Sequence, residues 1–140
     1  MDQQVKIIFE NKSFQIKQFN SFIYSIEILN SDINDDDFNK FMSCVKEVFS
    51  YQKKFAVIFN LLEIDKIIPI NYIYEYMVYI KNNINLLKKY LIGTVILTEN
   101  IIGKFIFNVA ICIHPPVKPT KIFTTTESSI EFLCHLNNTI

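Results

Sequence analysis

Phe55-Ala56-Val57-Ile58-Phe59 is an unbroken apolar run, with Lys53-Lys54 before it and Asn60 after it. It is too short for an ordinary helix and rich in β-branched and aromatic side chains. Such a run predicts a strand buried on both faces. Residues 92–98, Ile92-Gly93-Thr94-Val95-Ile96-Leu97-Thr98, read the same way. Between the two, Ile73, Met77, Ile80, Ile84, Leu87 and Leu91 recur at three- and four-residue spacing. That spacing predicts one long amphipathic helix over 70–90, with Pro69 in its first turn and Lys88 and Lys89 in its last, where the helix dipole favours cations. A buried strand, a helix and a second buried strand form the repeating unit of a parallel sheet, since a parallel connection must cross back over the sheet.

The same alternation extends to either side. Residues 5–10 and 14–19 flank Asn11-Lys12-Ser13 and predict a hairpin. In 22–29, Phe22, Tyr24, Ile26 and Ile28 alternate with Ile23, Ser25, Glu27 and Leu29. The second set is only half polar, so this strand is expected inside the sheet. Asn34-Asp35-Asp36-Asp37 precedes a helical stripe of Phe38, Phe41, Met42, Val45, Val48 and Phe49. The acidic run reads as a helix cap at the positive end of the dipole, not as a cation site. A further helix is expected over 101–113, stopped by Pro115-Pro116, and a strand over 121–124. Thr125-Thr126-Glu127-Ser128 then opens a last helix with Ile130, Leu133 and Leu136 inward. The order is β-β-β-α-β-α-β-α-β-α. It predicts one α/β domain over 1–140, with a mixed, mostly parallel sheet of about 5–6 strands, about 4 helices and an N-terminal β-hairpin.

Composition narrows the function. In 140 residues, half are hydrophobic and 20% charged, which excludes a disordered chain. Fourteen lysines balance fourteen acids, so no basic excess points to nucleic acid. Arg and Trp are absent while Ile, Asn and Lys abound. Those favoured residues have A/T-rich codons, so their abundance says less about function than usual. Met1-Asp2-Gln3-Gln4-Val5-Lys6 has no apolar leader pattern. The most apolar stretch, 101–113, is broken by Gly103, Lys104 and Asn108 and falls short of the ~20 residues of a membrane span. A cytoplasmic protein with no transmembrane segment is expected.

Candidate chemistry is sparse. Cys44, Cys112 and Cys134 fall on separate elements and read as reduced thiols. Cys112-x-His114 and Cys134-His135 fit no C-x₂-C zinc spacing, so no metal is expected. Two glycines cannot build a phosphate-binding loop or a nucleophile elbow. His114 and His135 lack an orienting partner in sequence. No catalytic residue and no cofactor are expected. What stands out is apolar surface. Tyr72, Tyr76 and Tyr79 form a second stripe at i, i+4 and i+7 beside the Ile73-Met77-Ile80 stripe. Ile101, Ile102, Phe105, Ile106, Phe107 and Val109 run nearly all round the next helix, and a helix apolar on all sides must be covered on all sides. Tyr72, Tyr76, Tyr79, Ile102, Phe105, Ile106, Phe107 and Val109 are therefore the candidate surface for a partner or an apolar ligand.

Residues 22–136 resemble the STAS superfamily, the fold of anti-sigma-factor antagonists and of the cytoplasmic tail of sulfate transporters. The resemblance is carried by the strand 55–59, the helix 70–90, the strand 92–98, and the closing run from Phe105-Ile106-Phe107 through His114-Pro115-Pro116, Lys121-Ile122-Phe123-Thr124 and the helix Glu127-Ser128-Ser129-Ile130-Glu131-Phe132-Leu133. The closing part is most similar to the SpoIIAA-like branch, itself related to CRAL-TRIO lipid-carrier domains. Phosphorylated STAS regulators carry an Asp-Ser-Ser/Thr-Gly turn after the buried strand. This chain has Ile67-Ile68-Pro69-Ile70-Asn71 there, with no hydroxyl to modify. The resemblance thus implies a non-catalytic regulatory module without the phosphoswitch, acting on a protein partner or as a homodimer. Its alternative is a CRAL-TRIO-like carrier of a lipid or other apolar small molecule.

Overall fold

Asn11 makes the first turn of the chain, its side-chain oxygen accepting from the backbone N–H groups of Ser13 and Phe14 at 3.0 and 2.9 Å. The expected hairpin results: β1 (Lys6–Glu10) and β2 (Phe14–Gln18) pair antiparallel in the computed structural model, which describes residues 5–139. Residues 1–4, which hold most of the stretch read for a leader, lie outside the described residues. β3 (Ile23–Ile28) pairs with β2, again antiparallel.

From β3 onward the pattern is strand, helix, strand. α1 (Asp35–Phe49) starts at Asn34, whose side chain accepts from the Asp37 N–H at 2.8 Å, as its acidic first turn suggests. β4 (Phe55–Asn60) is the central apolar run. The long helix expected over 70–90 is two helices, α2 (Ile70–Asn82) and α3 (Ile84–Tyr90), which meet at Asn83. The reason is local. The Asn83 side chain donates to the Tyr79 carbonyl at 2.8 Å and so takes the acceptor that an unbroken helix would give to the Asn83 N–H. That N–H turns to Ile80 instead, at 3.1 Å. β5 (Leu91–Leu97), α4 (Ile101–Ile113), β6 (Thr120–Phe123) and α5 (Thr126–Asn138) complete the chain.

The six strands lie side by side in sequence order, and the last three pairings, β3·β4, β4·β5 and β5·β6, are parallel. A sheet built by stepping always to the next strand keeps its crossover helices on one face, because each crossover has the same hand. α1, α2, α3 and α4 accordingly share a core with Tyr24, Ile26, Val57 and Ile96 on one face of the sheet. α5 follows the last strand and packs on the opposite face, where Leu133 meets Ile58, Val95 and Leu97. β3 is an inner strand with Tyr24 and Ile26 buried on the helical face and Ile23 and Ser25 on the other, as its half-polar alternation implies. Among the described residues no helix is long and apolar enough to cross a membrane.

Candidate ligand-binding cavity

α2 brings two apolar stripes to the core, and the structure turns both inward. Tyr72 is buried, its ring 4.8 Å from Phe38 on α1 and its hydroxyl donating to the Asp35 carboxylate at 2.7 Å. Tyr76 lies between Phe41 of α1 and Phe59 of β4, at 6.5 and 5.4 Å between ring centroids. Tyr79 leans on Phe49 at 5.9 Å. The tyrosine stripe thus faces α1 and the sheet.

α4 is covered on one side only. Gly103 and Ile106 are buried, and Ile102, Phe107 and Val109 are half-buried. Ile101, at 80% exposure, and Phe105, at 42%, face outward. Of the eight candidate surface residues, Phe105 alone is exposed; the others pack into the core between the sheet and the helices. Sequence periodicity alone could not separate these cases, since α4 is apolar in every direction.

The helix is pinned at its N-terminal turn. Asn100 caps it by accepting from the Gly103 N–H at 2.9 Å, and the Asn100 side chain donates to the Ile64 carbonyl at 3.2 Å. Gly103 sits directly on Thr98, so that a Cβ there would lie 2.6 Å from the Thr98 Cβ. Toward the other end burial falls away, with Ala110, Ile111 and His114 only half-buried, and Pro115-Pro116 turns the chain out. α2 and α4 pack against each other and roof the sheet.

Beneath that roof is a cavity of about 180 Å³. Its inner end is walled by Ile28, Ile33, Phe38, Ile68, Tyr72 and Ile106, all buried. Its outer end is lined by Ile84, Leu91, His114, Val117, Lys118 and Thr120, all half-buried, where β5 and β6 begin. The cavity is therefore closed at one end and open at the other. Burial pushes the Tyr76 hydroxyl far above the usual phenol range, with Tyr79 adding to it, so that Tyr76 stays protonated. Among the residues lining the cavity, Lys118 is the one formal charge, and it stands at the mouth. The interior is neutral.

The remaining candidates do not assemble. Cys112 is on α4 and Cys134 on α5, on opposite faces of the sheet, so the two Cys–His pairs cannot meet. No group of three or more metal-binding side chains occurs among the described residues. Burial, with Glu47 beside it, pushes the Cys44 thiol up and disfavours the reactive thiolate. Sequence reasoning named Tyr72, Tyr76, Ile106 and Phe107, which do line the cavity, but missed its mouth. Pro115-Pro116 read as a helix stop, and His114 as a histidine without an orienting partner.

The fold and site define an α/β domain whose one-sided helical layer encloses an apolar cavity. The chain matches no family model, no curated protein and no solved structure, and nothing in those comparisons identifies a STAS relationship.

Proposed function

We propose that this protein binds a small apolar ligand in the cavity between the sheet and helices α2 and α4, as a carrier or as a module that responds to the ligand. The observation that supports this reading is the cavity itself, of about 180 Å³, blind at its inner end and open between α4 and β6. Binding pockets are concave, mostly apolar and largely formed before the ligand arrives. A void of this kind in a filled core would forfeit packing energy with no return.

Ala110→Phe tests the reading, because Ala110 lies in the cavity wall on α4. In a filled core, inserting a ring costs about 1–3 kcal/mol. Here the ring has room, so the variant should melt at or above the temperature of the wild type. It should also lose binding of 1-octanol, measured by titration calorimetry. For the wild type, octanol at ~100 times its Kd should add about 2.7 kcal/mol of stability by mass action. A destabilised Ala110→Phe together with no effect of octanol on the wild type would sink the proposal.

A second reading, a STAS-like regulatory module working through protein contact, draws on the exposed Ile101 and Phe105 of α4. It expects a homodimer or a partner complex that Phe105→Asp disrupts. A wild-type protein that light scattering finds monomeric at high concentration argues against self-association.

A further inference from the structure

The charge at the mouth of the cavity specifies the ligand more narrowly than "apolar". We infer that the ligand is a single-tailed anion: one alkyl chain of about seven carbons inside the cavity, with an anionic head held at the mouth by Lys118. This rests on the cavity being a binding site.

Volume sets the tail. A dry cavity of about 150 Å³ holds one benzene, six carbons, so ~180 Å³ takes a chain of about seven, the tail of octanoate. Two-chain membrane lipids exceed it several-fold. The neutral interior sets the polarity of that part, since a charge carried inward past Phe59 and Tyr76 would be stripped of water with no opposite charge to pair with. The head must stay where water reaches. There the lining offers Lys118 and the imidazole of His114, and no carboxylate. Lys118 forms no ion pair with any described residue; Lys40 with Asp36 is the only ion pair among them. Its backbone is fixed, since the Thr120 hydroxyl donates to the Lys118 carbonyl at 3.0 Å. A half-buried cation beside an apolar opening, with no acid in the lining, selects an anion.

The test measures the affinities of octanoate, octyl phosphate, 1-octanol and octylammonium for the wild-type protein and for Lys118→Met, which keeps the unbranched apolar stem of the side chain and removes its charge. One of the two anions should bind at least tenfold more tightly than octanol, and octylammonium should bind most weakly. The tighter anion identifies the head as carboxylate or phosphate. Lys118→Met should weaken that anion about tenfold, as loss of a charge-assisted contact does, and leave octanol within twofold. If octanol binds as well as both anions, or Lys118→Met weakens anion and alcohol alike, the head-group inference is overturned while the cavity reading stands. If none of the four binds, the cavity reading itself falls.

Discussion

Gly103→Ala is expected to destabilise the protein by about 3 kcal/mol, although Ala is the better helix former by about 1 kcal/mol. The added Cβ would lie 2.6 Å from the Cβ of Thr98 and 3.2 Å from its Cγ2. Thr98 cannot retreat. It is 1% exposed, directly after β5, and its hydroxyl accepts from the Asn100 N–H at 3.3 Å. Relief therefore requires α4 to lift from the sheet at the one end where it is pinned. That movement would also deform the roof of the cavity, so ligand affinity should fall with stability. Urea unfolding of Gly103→Ala, Thr98→Gly and the double variant makes the check. Removing the Thr98 side chain makes room for the methyl added at 103, so the double variant should be more stable than the sum of the two losses predicts. Simple additivity would show that the close approach of Gly103 to Thr98 does not set the height of α4.

Phe41→Ala should cost about 3–5 kcal/mol, the usual range for losing a buried aromatic ring. Phe41 is 3% exposed and stacks on Phe14 with 4.1 Å between ring centroids and 10° between planes. It also touches Phe38 and Tyr76, so its loss loosens the junction of α1, α2 and β2. Because Phe41 lines the cavity, the void it leaves joins space already present. The variant should then accept a longer chain. Each methylene buried is worth about 0.8 kcal/mol, so the preference for 1-decanol over 1-octanol should rise roughly tenfold relative to the wild type. Denaturant midpoints and alcohol titrations read the two effects separately. An unchanged chain-length preference would mean that the site of Phe41 collapses or that the alcohols bind elsewhere.

The success of reading strands and helices from this sequence follows from how they are encoded. Alternation in 22–29, the continuous run at 55–59 and the stripes in 35–49 are local, and each element forms where its pattern is. The split at Asn83 escaped the pattern because apolar spacing continues through it as Ile80, Ile84, Leu87. Only the competition of a side-chain amide for one carbonyl breaks the helix. The candidate residues were legible as apolar excess, but their roles were not. Tyr76 and Phe107 look alike in sequence to Tyr74 and Phe105, yet the first pair lines the cavity and the second faces outward.

By itself the sequence determined the order of elements, the antiparallel hairpin followed by parallel strands, and the balance of fourteen lysines against fourteen acids. Those are properties of local pattern and of sums over the chain. The tertiary structure alone decided that four helices share one face of the sheet and that α4 is held down at Gly103. It also placed Lys118 in the lining of the cavity. A cavity is the space that packed elements fail to fill. It depends on the distances between segments remote in the chain, and no periodicity within any one of them records it.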